Sequence, residues 1–131
     1  MDTGRAVLIV DDDPSVLETM RVLLEGRAGF HVLTALGARG ALRRLHSLER
    51  LDVLVVDVDV SDDRGAAICH EALQRHPDVA LVAMSSDGSG RMVSPASAAF
   101  LPKPFGAREL LAAIDEANRC ALARREGVGA E

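Results

Sequence analysis

A doubly wound α/β fold, a five-stranded parallel sheet with helices on both faces, is what this sequence predicts. Three observations carry the expectation. Short runs such as VLIV at 7–10 and VLVV at 53–56 are apolar throughout, as strands buried on both faces of a parallel sheet are. Between them lie segments with apolar residues at helical spacing, so strand and helix patterns alternate along the chain. The strand-like runs also end in acidic or hydroxyl residues, at the edge where open α/β sheets bind their ligands.

At 131 residues the chain has the size of one domain, able to bury a core without staples. With 48% apolar and 27% charged residues it reads as an ordinary soluble globular protein. A formal charge of −5, with its arginines scattered over helical segments, argues against direct nucleic-acid binding. Cys69 and Cys120 have neither metal-ligand spacing nor the look of a disulfide framework, so a reducing, cytoplasmic location is expected. The apolar run after MDTGR is too short for a signal peptide or a membrane span. There is no Trp or Tyr, and with only Phe30, Phe100 and Phe105 the core must be aliphatic.

Taken in order, Ala6 to Val10 is a strand that ends in Asp11, Asp12 and Asp13. Asp13 suits a helix N-cap, and Pro14 suits the first turn, where its missing donor would be orphaned anyway. Val16, Met20, Leu23 and Leu24 then recur at helical spacing, to a stop near Gly26 to Gly29. His31 to Ala35 forms a second strand, and Ala38 to Leu48 a helix with Ala41, Leu42, Leu45 and Leu48 on one face. Val53 to Asp57 is the third strand and Ala66 to Arg75 the third helix, stopped by His76-Pro77. Ala80 to Met84 is a fourth strand closed by Ser85 and Ser86. The stretch SDGSGRMVSPAS that follows allows only a short or distorted helix, because Gly and Pro are the poorest helix formers. Ala99 to Leu101 is a short fifth strand before Lys103. From Ala107, the residues Leu110, Leu111, Ile114, Ala117 and Leu122 mark a last amphipathic helix. The domain is expected to cover residues 1–126, with 127–131 a disordered tail.

This order brings Asp11, Asp12, Asp57, Ser85 and Lys103 to one edge of the sheet. Carboxylates so close raise one another's pKa unless a counter-charge is present. Mg²⁺ is the expected cofactor, being a hard ion that takes carboxylates, a backbone carbonyl, water and phosphate oxygens. Lys103 adds a cation, Ser85 a hydroxyl donor, and the group as a whole suits phosphoryl transfer onto Asp57.

VLIVDDDPSV, LDVLVVDVDVSDDRG with a glycine eight residues after Asp57, ALVAMSS and AAFLPKPF together resemble the bacterial response-regulator receiver domain. The likeness runs from residue 6 to about 120. It implies a flavodoxin-like strand order, 2-1-3-4-5, and a place in a two-component phosphorelay. Asp57 then matches the aspartate phosphorylated by a histidine kinase or phosphotransfer protein. Asp11 and Asp12 match the Mg²⁺-binding pair, with Asp12 favoured as direct ligand, and Asp59 falls where the family offers a backbone carbonyl. Ser85 matches the switch hydroxyl, Phe100 the switch aromatic, and Lys103 the family's lysine before a proline usually joined in cis. Such a domain catalyses only its own phosphorylation and dephosphorylation, and it signals by changing a face that binds a downstream protein. Kinase choice would rest on the first helix, at Ser15, Glu18 and Thr19. A surplus apolar strip on the last helix would support a homodimer.

Several positions depart from the family pattern. Ser61 replaces a common proline, a tolerable loop change, while Asp59 and Asp87 add negative charge beside the site. Asp59 is expected to alter metal affinity or dephosphorylation rate, in a direction the sequence does not fix. The interval from Ser85 to Lys103 is short by about one helical turn, which makes the Gly/Ser segment either a switch element or a trimmed loop. His31, His46, His70 and His76 read as surface residues, and Cys69 and Cys120 as small helix residues.

Two rivals remain at this level. Asp57-Val58-Asp59-Val60-Ser61 also resembles the nucleophile motif of haloacid-dehalogenase-like phosphatases, which need paired acids on a strand downstream of the lysine. Here only Asp115 and Glu116, in a helix, follow Lys103. The other rival is a pseudo-receiver, an interaction module that keeps the fold without being phosphorylated. A stand-alone receiver and one cut from a hybrid kinase or longer regulator read alike.

Overall fold

Side chains on a strand alternate between faces, so a strand that is apolar at every position must be covered on both sides. The computed structural model, which describes residues 4–27, 29–59, 64–86 and 98–127, meets that requirement. Strands β1 (Arg5–Asp11), β2 (Phe30–Leu36), β3 (Val53–Asp57), β4 (Ala80–Ser85) and β5 (Ala99–Pro102) form one parallel sheet. Its order is β2-β1-β3-β4-β5, as the receiver resemblance implies. The described helices are α1 (Pro14–Glu25), α2 (Gly37–Ser47), α3 (Gly65–Arg75) and α4 (Ala107–Arg125). The Gly/Ser segment with Asp87, the loop residue Ser61 and the last four residues of the expected tail lie outside the described residues.

Two aliphatic cores result. Val7 and Ile9 of β1, Val53 and Val55 of β3 and Val82 and Met84 of β4 face one side. There they meet Leu17, Met20 and Leu24 of α1 and Leu110, Ile114 and Ala117 of α4. The intervening residues Leu8, Val10, Leu54, Val56, Leu81 and Ala83 face the other side, against Ala41 and Leu45 of α2 and Ile68, Cys69 and Ala72 of α3. Most element boundaries lie within a residue of the sequence expectation, because period and turn residues agree there.

Local chemistry sets the helix ends near the site. Asp13 is extended and caps α1, its Oδ1 accepting from the Ser15 amide at 2.9 Å and hydroxyl at 2.8 Å, with Pro14 as the first helical residue. These bonds hold its carboxyl below the usual carboxylate range. Cys69 is buried in α3, and desolvation pushes its thiol up to about 12, which makes it inert packing. His31, His46 and His70 are exposed as expected. His76 differs: it is half-buried, its Nε2 is enclosed without a hydrogen-bond partner, and burial lowers its pKa.

Gly65 explains the spacing of eight from Asp57. It opens α3 directly over Val58, and a Cβ at 65 would stand 2.5 Å from the Val58 Cα and 3.0 Å from its carbonyl oxygen. The obstacle is backbone, which cannot swing aside as a side-chain tip does. Gly65→Ala should therefore shift the turn after β3 and cost about 1–3 kcal/mol, read as a lower urea midpoint. An unchanged midpoint would show that the turn has slack.

Candidate functional site

Strand register assembles the site. Val10 of β1 pairs with Val56 of β3, so the next residues, Asp11 and Asp57, end neighbouring strands at the same level. Met84 pairs with both Asp57 and Leu101, and Ser85 pairs with Pro102, which places Lys103 one residue beyond that edge. Lys103 donates its amide to the Ser85 carbonyl at 2.9 Å. The peptide bond from Lys103 to Pro104 is cis, as expected.

The two strand-ending aspartates use their oxygens alike. Oδ1 of Asp11 accepts from the Asp13 amide at 3.0 Å, and Oδ1 of Asp57 from the Asp59 amide at 2.9 Å. Each short carboxylate thus closes a turn over its own chain. Their Oδ2 atoms face one another across Lys103, whose Nζ lies 3.0 Å from Asp11 and 3.2 Å from Asp57. Both aspartates are buried, at 2% and 6% exposure, so their charges need this partner.

Burial raises the Asp57 pKa and the charge of Asp11 adds to it; the Asp59 amide and Lys103 pull the other way without winning. For Lys103 burial opposes the charge, but Asp11 and then Asp57 outweigh it and raise its pKa. The ammonium is therefore firmly protonated.

Asp12, in contrast, is exposed. Its Oδ1 lies 3.2 Å from where a Cβ on Gly37 would stand, at the start of α2. Gly37 has φ +73°, so glycine there serves both the left-handed turn and the room for Asp12. Ser85 is fully buried, and its hydroxyl donates to the Asp59 carboxylate. Phe100 is half-buried in β5, and its register with Ala83 puts it on the same sheet face as Ser85.

The structure thus brings Asp11, Asp57 and Lys103 together, joins Ser85 to them through the Lys103 amide, and leaves the Asp12 side chain exposed. Among the described residues no three His, Cys, Asp or Glu side chains are grouped as ligands of one ion. The donor set nevertheless fits a hard divalent cation. The Asp11 and Asp57 carboxylates flank Lys103, the one cation among the expected site residues, and Asp57 keeps a raised pKa in spite of it. The sequence marks Asp59 by its carbonyl and its charge, and nothing in it shows the attachment of its carboxylate to Ser85. The one available signal was its place, two residues past the strand end.

The model of the response regulator receiver domain family matches residues 7–115. This chain belongs to that family. The receiver is 37% identical over 119 residues to the transcriptional regulatory protein GltR of Pseudomonas aeruginosa, covering 85% of this chain and 48% of that protein. With the transcriptional regulatory protein CpxR of Klebsiella pneumoniae it shares 35% identity over 112 residues, covering 82% and 47%. It therefore spans about half the length of these relatives. A crystal structure of a response regulator receiver protein from Sinorhizobium medicae superimposes with a TM-score of 0.79 over 90% of this chain and 97% of that one. At 21% identity that likeness speaks for the fold alone.

Receiver domains of two-component response regulators are phosphoacceptors, and this chain is one. As a class they generally bind Mg²⁺ at the phosphorylation site, work with histidine kinases and effector domains, and are not enzymes acting on other substrates. The phosphatase rival also lacks support in the site, since Asp115 and Glu116 are both exposed on α4. No described helix is long and apolar enough to cross a membrane.

The raised Asp57 pKa has a consequence for stability. Burial lifts the folded-state value above the unfolded one, so the ionised carboxylate opposes folding at neutral pH, and this cost fades as pH falls through the raised value. Asp57→Asn keeps an oxygen for the Asp59 amide and removes the charge. The variant should gain no more than about 1 kcal/mol at neutral pH, because the polar surroundings screen part of the effect. Urea midpoints across the acid range should show the gain shrinking as pH is lowered. A loss of stability at neutral pH would mean that the pairing with Lys103 outweighs burial.

Proposed function

We propose that Asp57 is the residue that takes the phosphoryl group, from a histidine kinase or phosphotransfer protein, and that the domain thereby switches a face bound by a downstream protein. The observation that carries this assignment is the Lys103 ammonium held between the Oδ2 atoms of Asp11 and Asp57 at the C-terminal edge of the sheet.

In the reaction an Asp57 carboxylate oxygen attacks the phosphorus of a phosphohistidine. The P–O bond forms as the P–N bond breaks, and the donor nitrogen keeps the bonding pair. Lys103, already between the two carboxylates, neutralises charge gathering on the phosphoryl oxygens. The Ser85 hydroxyl serves as a donor to one of them, and Phe100, on the same sheet face, follows its movement. Asp11, Asp12, Asp57 and the Asp59 carbonyl would hold Mg²⁺, which supplies charge neutralisation for the transfer. The reading extends to residues 1–126 as one receiver unit, acting in the cytoplasm and catalysing only its own phosphorylation and dephosphorylation.

On this reading α1 carries the kinase-facing surface. A cleft of about 290 Å³ runs between α1 and the loop after β5, lined by Ser15, Val16, Thr19, Met20, Lys103 and Phe105 among others. It touches the site through Lys103 and exposes Ser15 and Thr19, two of the three α1 positions singled out for partner choice. Glu18, the third, is exposed and paired with Arg21.

Incubation with acetyl phosphate and Mg²⁺, followed by intact-mass measurement, should give one phosphoryl adduct. Asp57→Asn or removal of Mg²⁺ by a chelator should abolish it. A folded protein that takes no adduct beside a working control receiver would favour the pseudo-receiver reading instead.

A further inference from the structure

Asp59 does more at this site than lend a carbonyl or add charge. The turn closed by Oδ1 of Asp57 brings residue 59 back over the sheet edge, towards the end of β4. The Val58 amide, bonded to the Met84 carbonyl at 3.0 Å, holds the turn against that strand. From there the Asp59 carboxylate accepts from the Ser85 hydroxyl, at 3.3 and 3.5 Å to its two oxygens, and from the Ser86 amide at 3.3 Å. Two successive residues at the end of β4 are thereby attached to one exposed acid.

A serine hydroxyl has one proton to donate. While Ser85 gives it to Asp59, that proton is not available to a phosphoryl oxygen on Asp57. At 3.3–3.5 Å these contacts are long, and the acceptor's charge is what makes them a competitor at all.

We propose that the Asp59 carboxylate is a positioning residue that holds Ser85 and Ser86 in the unphosphorylated arrangement and competes with the phosphoryl group for the Ser85 proton. The inference rests on Asp57 as the phosphorylated residue and on Ser85 as the donor that answers it. Asp59 fixes the resting state and sets how much of the phosphoryl group's binding goes into breaking its own contacts. The direction left open by the sequence follows: removing the carboxylate favours the phosphorylated arrangement.

The test has two arms. In the protein without added ligand, amide hydrogen exchange at Ser86 should be about tenfold faster in Asp59→Ala, as expected for loss of a hydrogen bond to a charged acceptor. Unchanged exchange, in a variant whose other protected amides are unaltered, overturns the proposal without reference to phosphorylation. In the second arm, Mg²⁺ with beryllium fluoride serves as the phosphoryl probe, and binding is followed by amide chemical shifts. Asp59→Ala should bind the probe several-fold more tightly than the parent, and this gain should largely vanish when Ser85→Ala is added. A gain of equal size in the Ser85→Ala background would show simple charge repulsion and overturn the latch. Absence of probe binding in the parent itself would count against the phosphoacceptor reading of Asp57, leaving the exchange arm to decide on Asp59.

Discussion

Lys103 stands between two buried carboxylates, and the strand register around it follows from what that arrangement demands. An ion pair taken out of water is tolerable only when its geometry is good and its remaining hydrogen-bonding capacity is filled. Here each aspartate gives one oxygen to a backbone amide and the other to the ammonium. That division requires β1 and β3 to end at the same level and β5 to stop one residue short of Lys103, with its amide on Ser85. A slip of one residue in either pairing would turn a carboxylate to the other sheet face and leave it among aliphatic side chains. The polar edge therefore helps to specify the register of the apolar strands beneath it.

Those strands insulate the two cores from each other, and the site sits on the boundary. By strand alternation Asp57 continues the row of Val53 and Val55, which faces α1 and α4, whereas Ser85 continues the row of Leu81 and Ala83, which faces α2 and α3. Lys103 links the two rows, with its side chain on Asp57 and its amide on Ser85. Asp57 and Ser85 thus end their strands on opposite faces of the sheet. Phe100, in register with Ala83, is on the Ser85 face.

Much of this was legible from residue order. Val53 to Asp57 reads as a buried strand ending in an acid because apolar period and polar termination coincide, and β3 has those bounds. The convergence of Asp11, Asp57, Ser85 and Lys103 follows from topology alone once five parallel strands are accepted. Side-chain direction was not legible. Asp11 and Asp12 are neighbours of the same type, yet one is buried on Lys103 and the other turns towards Gly37, a difference made by strand alternation and by a left-handed turn elsewhere in the chain. Asp59 gave no sign that its carboxylate would reach Ser85, because that contact spans 26 positions and depends on the turn that Asp57 closes. The reason for Gly65 was hidden for a similar cause: what excludes a side chain there is the backbone of Val58, seven residues earlier.

The turn at Asp57 also limits what can stand in for the phosphorylated form proposed for it. Its Oδ1 reaches the amide two residues on because the carboxylate is carried on a single methylene. A glutamate placed at 57 to imitate added negative charge would carry its carboxylate one carbon further out, past the point where it closes that turn. The loop bearing Asp59 would lose its anchor while the charge on the residue stayed the same. Such a substitution reports on a displaced loop, and a signalling effect seen with it says little about a phosphorylated aspartate.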